Sequence, residues 1–369
     1  MRKIEKLARR ITPQFLKRFL FWLVGKKRDL GVRLRDFSAR SNSLAALYYF
    51  CFSRDFAHEQ RTVLEGLRQY RKKVANKALL RRNVHRLEKG MIMRPRKERF
   101  ALDYIGGTVT AFVEDLKECQ SSPPDDVLWF HDVLKNYFAV SGSCSVVDRA
   151  RERFDAAVQN VEFQSEENRI PYSREDSVVV DVKYEALLDL SRRRCSVRWF
   201  EPRDVPMDLI KKALLVGLQS PSACNRQPFR FHFVTDRSRV ESVASLAWGT
   251  AGFSDNIPAV GVVIGTLDDF FSERDRHLPY IDSALAIGPF LLALETLGLG
   301  SCCLNWPDLK GVDAQMAKRI ELKDYERVIM LIAIGYPDPE GGVPYSQKKG
   351  TGDLCVFNEL LPTGDSSSS

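Results

Sequence analysis

The chain has 369 residues, of which 44% are hydrophobic and 28% charged, with 22 Gly and 17 Pro. That mix excludes wholesale disorder, collagen and coiled-coil rods, and the length suits about two domains. The net charge of +8 is local: residues 1–36 hold 12 Lys/Arg against 3 Asp/Glu, and the remainder holds 44 against 45. A near-neutral body with one short basic segment is not a general nucleic-acid binder.

The opening segment predicts a helix. Thr12-Pro13 reads as N-cap and first helical position, and Gly25 as a stop. Between them Phe15, Leu16, Phe19, Leu20, Trp22 and Leu23 recur at helical spacing, with Lys26, Lys27 and Arg28 following. Two readings stand side by side: an amphipathic helix on an anionic membrane surface, or a helix docked on its own protein with the cations at the rim. The apolar stretch is too short to span a bilayer. There is no pattern of a secretory signal, and eight scattered cysteines without a CxxC pair point to a reducing compartment and no zinc site. A cytoplasmic protein is expected, able to touch the inner face of the membrane through residues 12–24.

Residues 37–177 predict a helical domain. Phe56 to Leu87 reads as one long helix broken only by Gly66, and Arg94-Pro95-Arg96 closes it. Asp103 to Leu116 and Val127 to Phe138 follow, separated by the turn Ser121-Ser122-Pro123-Pro124. The polar, Pro-containing stretch Glu162 to Ser177 reads as a domain boundary.

Residues 178–364 predict a mixed domain. Tyr184 to Arg193 and Met207 to Leu218 read as helices; Phe229 to Val234, Ala259 to Ile264 and Val328 to Ile334 read as strands. Ala284 to Trp306 is apolar except for Glu295, yet Pro289 and the Gly298-Leu299-Gly300 break favour a core helix, a turn and a strand over a membrane span. The class is therefore α+β or α/β. Residues 365–369 read as a disordered tail.

Three segments share the chemistry of a phosphorylated planar ligand. Arg194-Cys195-Ser196-Val197-Arg198 sets guanidinium forks beside a hydroxyl, which suits a phosphate as well as a solvated turn. Pro221-Ser222-Ala223-Cys224-Asn225-Arg226-Gln227-Pro228 makes a stiff loop whose Asn225 and Gln227 amides match a heterocycle edge. Gly298-Leu299-Gly300 lets backbone approach a flat ligand, although a helix C-cap needs the same residue. It is no dinucleotide fingerprint, because no third glycine opens a new helix.

The order and spacing of these segments, with Tyr280-x-Asp282 and Ile334-Gly335-Tyr336-Pro337, resemble the nitroreductase family of FMN-dependent oxidoreductases between Lys183 and Lys349. The resemblance implies an α+β fold with a central, mainly antiparallel sheet flanked by helices, here preceded by the helical N-terminal domain. It implies a homodimer with FMN at the interface and ping-pong transfer from NAD(P)H to a nitro compound, a quinone or a dedicated biosynthetic substrate. By position, Arg194, Ser196 and Arg198 would hold the FMN phosphate and ribityl chain, with Cys195 contributing backbone. Pro221, Ser222, Ala223, Asn225 and Gln227 would border the ring, and Gly298, Leu299 and Gly300 would pass its other side. Lys348 or Lys349 stands where relatives often carry a phosphate-binding Arg, and Phe229 where many carry Trp. No side chain is implied as nucleophile or general base.

A further element, Arg82-Asn83-Val84-His85-Arg86-Leu87-Glu88-Lys89-Gly90, resembles Tyr-His-x-x-Glu-Lys-Gly-Leu in nitroreductase-like proteins with a helical extension, some linked with surface polysaccharide production. Val84 replaces the Tyr and Met91 the Leu. His85 and Glu88 would meet on one helix face, as a substrate or partner site or as an ordinary helix-end hydrogen bond. The competing functional reading is a non-redox, membrane-associated assembly factor that retains a flavin-binding domain.

Overall fold

The computed structural model describes residues 30–73, 76–119, 122–163 and 168–357. The predicted helix at 12–24 and the tail at 365–369 lie outside them.

The sheet that carries the C-terminal half is built from four strands: β1 (Phe229–Val234), β2 (Ala259–Thr266), β3 (Gly300–Leu304) and β4 (Glu326–Gly335). Their order is β1-β2-β4-β3 and every ladder is antiparallel. The strand reading of 259–264 rested on a continuous apolar run, and the reason is visible: β2 is buried on both faces. Val260, Val262 and Ile264 join one core with Val240, Val243, Leu304 and Leu331, while Ala259 and Val263 join another with Ile287, Phe290 and Leu294. A register irregularity at Val263/Ile264 pairs Val263 with Met330 and Ile264 with Val328. One inserted residue in β4 lets Val328 and Leu331, three apart, enter the same core.

The apolar stretch at 284–306 resolves as read: a helix, Leu278–Thr296, containing Pro289, then a turn at Gly298 and strand β3. Gly298 ends the helix at φ +76°, a conformation that favours glycine. Among the described residues, Glu273–Thr296 has the length and composition of a membrane span, yet half of its most apolar window is buried, and the helix packs on the sheet and on Met207–Gly217.

The N-terminal half is helical. Labelled in chain order, α1 is Asn42–Cys51, α2 Ala57–Lys72, α3 Lys77–Met91, α4 Ile105–Lys117, α5 Asp125–Val140 and α6 Ser145–Val158. Leu80, Val84 and Leu87 of α3 meet Ile105, Val109 and Phe112 of α4, Phe130, Leu134 and Tyr137 of α5, and Phe154 of α6 in one apolar cluster. These residues recur three and four apart, which puts them on one stripe of each helix. The reading of 56–87 as a single helix is corrected. α2 ends at Lys72, Lys73 is extended, and Asn76 caps α3 by accepting the Leu79 N–H at 2.9 Å.

α2 joins this layer to the sheet. His58 Nε2 lies 2.8 Å from Asp313 Oδ2, Arg61 meets Asp324 at 3.1 Å, and Lys73 meets Asp268 at 2.7 Å. Between these polar contacts Gly66 presses on Leu267, where a Cβ would stand 2.7 Å from the backbone carbonyl. The glycine that interrupts an otherwise polar and aliphatic helix is thus a contact point rather than a break.

Candidate functional site

The segment 194–200 leaves the helix Tyr184–Arg193 in extended form and pairs along the sheet edge. The Val197 N–H donates to the Ser301 carbonyl at 3.0 Å, and Glu201 N–H to the Tyr336 carbonyl at 2.9 Å. Asn256 clamps it further: its Oδ1 accepts the Phe200 N–H at 2.8 Å and its Nδ2 donates to the Arg198 carbonyl at 2.6 Å. Extended backbone sends alternate side chains to opposite sides. Val197 enters the core, while Arg194, Ser196 and Arg198 share the outer side; Phe200, out of step with that alternation, is buried as well.

That outer side is one wall of a cavity of about 420 Å³, which Cys195 and Arg192 also line. Tyr345, Gln347 and Lys348 line it too. Arg194, Arg198 and Lys348 have no carboxylate partner among the described residues; Arg192 is paired with Asp189 at 3.4 Å and Arg193 with Glu295 at 2.8 Å. Three uncompensated cations converge on a space of ligand size. Of the two lysines singled out in sequence, Lys348 lines the cavity and Lys349 does not.

Gly298, Leu299 and Gly300 do not line this cavity. The Leu299 side chain is in the core. Gly300 sits where a Cβ would meet Val197 at 2.8 Å and Pro337 at 2.9 Å, so the approach it permits is that of the 194–200 segment itself.

The loop 221–228 forms a separate place. It contains a single 3-10 turn, Ala223–Asn225, and Cys224, Asn225 and Gln227 all adopt positive φ between 51° and 55°. Each such non-glycine residue costs about 1–3 kcal/mol, and only surrounding contacts can hold it. Asp282 accepts the Ala223 N–H at 3.0 Å, Ser222 Oγ accepts the Gln227 N–H at 3.2 Å, and Gln227 Nε2 donates to Asn225 Oδ1 at 2.8 Å. Burial pushes the Asp282 carboxyl up, partly offset by that N–H and by Arg226. Pro221 is exposed at the start of the loop. None of these residues lines the 420 Å³ cavity.

A contact that sequence reading missed comes from 144 positions away. Arg81 of α3 donates from Nε to the Asn225 carbonyl at 2.9 Å, with its guanidinium 5.3 Å from the centre of the Trp129 ring. Trp129 Nε1 donates in turn to Glu88 Oε1 at 3.0 Å, and His85 Nδ1 lies 3.5 Å from Glu88 Oε2. The expected pair His85–Glu88 thus forms and belongs to a chain of contacts reaching the 223–225 turn. Only the i, i+4 recurrence of Arg81, His85 and of Arg82, Arg86 beside that pair could have signalled it.

Residues 191–254 and 251–336 match the family model for nitroreductases. Residues 191–336 are thus similar to the nitroreductase family. An iodotyrosine deiodinase of Thermotoga neapolitana is 28% identical over 177 residues, covering 41% of this chain and 89% of the relative. An NADH dehydrogenase of Thermus thermophilus is 27% identical over 195 residues, covering 44% and 90%. Among solved structures, an FMN-dependent nitroreductase of Clostridium difficile covers 47% of this chain and 99% of its own, at 22% identity and a TM-score of 0.39. The helical residues before 191 lie outside the family match.

Proposed function

We propose that the chain is an FMN-dependent oxidoreductase that uses NAD(P)H and a small organic acceptor. The observation that carries this is the convergence of Arg194, Arg198 and Lys348, none matched by a carboxylate among the described residues, on one cavity with Ser196 between the arginines. Such a donor set fits a phosphate monoester: the arginines offer forked N–H pairs, Ser196 a hydroxyl and Lys348 a point charge. When bound, FMN supplies two-electron chemistry between NAD(P)H and the acceptor, in the alternating order the family resemblance implies.

The chain's own residues then have three tasks. Arg194, Ser196, Arg198 and Lys348, with the Cys195 backbone, hold the phosphate and ribityl end. Pro221, Ser222, Ala223, Asn225 and Gln227 present a pre-formed polar edge to the ring. Asp282 and Arg81 keep that edge in its left-handed conformation, so that no reorganisation is needed on binding. Gly298, Leu299 and Gly300 lie at the root of the same sheet edge, and Lys349 remains a neighbour of the phosphate end.

Because the phosphate cavity and the 221–228 loop are separate places in one chain, the reading requires a second copy to bring them together. Exposed apolar surface supports a homodimer: Val178, Val179, Leu215 and Phe357 stand open, Val179 at 92% exposure. The test is FMN titration combined with light scattering. One FMN per chain in a particle of twice the chain mass is expected; a monomer that binds FMN fully contradicts the two-copy site.

A further inference from the structure

α3 carries a second group of cations toward the 221–228 loop, distinct from the phosphate cavity. Arg82 and Arg86 lie one helical turn apart. The Arg82 guanidinium lies 4.8 Å from the centre of the Phe271 ring and that of Arg86 3.7 Å from Tyr104. Aromatic faces hold guanidinium planes in place while leaving their N–H edges free. Arg82 has no carboxylate or hydrogen-bond partner among the described residues, and Arg86 has only the exposed Asp103, at 3.8 Å.

Arg226, inside the loop, completes the group. Its side chain is 4% exposed, its Nε has no hydrogen-bond partner, and its nearest carboxylate oxygen, on Asp275, is 4.0 Å away. Burial lowers the Arg82 pKa, and repulsion from Arg86 and Arg226 lowers it further, so the three charges act on one another. Other nearby carboxylates are committed: Asp268 and Asp269 to Lys73, and Asp282 to the Ala223 N–H. Three guanidinium groups left short of counter-charge, beside a loop built for a ligand, need an anion to complete them.

We propose that Arg82 and Arg86, backed by Arg226, bind the carboxylate or phosphate oxyanion of the electron acceptor beside the 222–227 loop. This rests on the reading of that loop as the flavin's edge, and it makes the acceptor an anion selected by the helical half of the chain. Arg82 is the discriminating residue, because it is the member with no carboxylate or hydrogen-bond partner among the described residues.

The test uses the full-length protein loaded with FMN. Flavin content is measured first, by absorbance. The change in the flavin spectrum is then titrated with 4-nitrobenzoate, 4-nitrophenyl phosphate and neutral 4-nitrobenzyl alcohol, and kcat/KM is measured for each. The anions should bind about tenfold or more tightly than the alcohol, the yield of one lost charge-assisted contact. The tighter of the two identifies the oxyanion. Arg82→Gln should abolish that preference, and Arg82→Lys should keep part of it, since Lys preserves charge but not the fork. If Arg82→Gln does not fold, Arg86→Gln serves, with the same expected loss. Equal binding of anions and alcohol by the wild type, or a preference that survives both Gln variants, overturns the proposal while leaving the flavin reading intact. A protein that takes up no FMN overturns both.

Discussion

Removing Arg198 should damage FMN binding far more than removing Arg192, although both line the same cavity. Arg198 is half-buried on the outer side of the extended segment, its backbone pinned by Asn256, and among the described residues its side chain makes one hydrogen bond, a 3.4 Å reach to the Ser196 carbonyl. The lost contact is charge-assisted and partly desolvated, worth about 1.5–3 kcal/mol, which weakens Kd roughly 10- to 150-fold. The Arg192 side chain is 69% exposed and already paired with Asp189. A contact of that kind is worth about 0.2–1 kcal/mol, or no more than about fivefold in Kd. Neither substitution touches the core, because Val197 and Phe200 carry the packing. The assay is quenching of FMN fluorescence on titration of the apoprotein with Arg198→Ala and Arg192→Ala, alongside thermal melts of both apoproteins. Equal losses, or unchanged affinity in Arg198→Ala at unchanged melting temperature, would refute the phosphate assignment of this cavity.

Other consequences are also measurable. Gly66→Val drives a side chain into the Leu267 backbone and should destabilise the protein by about 1–3 kcal/mol, read as a lower melting temperature. Asp282→Ala leaves the Ala223 N–H without its acceptor, costing about 1–3 kcal/mol, and should loosen the left-handed loop so that FMN affinity falls. Burial pushes the Asp269 carboxyl up to about 6, despite Lys73. A raised native pKa means the folded protein holds this proton more tightly than the unfolded chain, so this group's contribution falls as pH rises from about 4 to about 6. The melting temperature of Asp269→Asn relative to wild type should therefore rise across that window and level off above it; a fall would contradict the assignment.

What the sequence disclosed depended on how local the cause was. The cluster of Arg194 and Arg198 about the Ser196 hydroxyl is a local property, and the structure brings all three to one cavity. Strands were legible at 229–234 from alternation and at 259–264 and 328–334 from apolar runs, which are local too; the structure extends the last two to 259–266 and 326–335. The break between α2 and α3 was not, since no Gly or Pro marks it. Its causes are the Asn76 cap, a signal available but unused, and the pull of Lys73 toward Asp268, nearly two hundred positions on. Arg81 on Asn225 and Gly66 on Leu267 were invisible for the same reason. At Gly300 the atoms that would exclude a Cβ belong to Val197 and Pro337, a packing role that the neighbouring sequence did not disclose.

On the proposed function, the cations around the 420 Å³ cavity serve a flavin engaged in redox chemistry. The most direct measurement is the visible absorption spectrum of the purified, FMN-loaded protein before and after NAD(P)H is added without oxygen. Flavin bands should bleach on addition and return when an organic acceptor follows. Bands that persist with both NADH and NADPH, or protein that stays colourless after incubation with FMN, would contradict it.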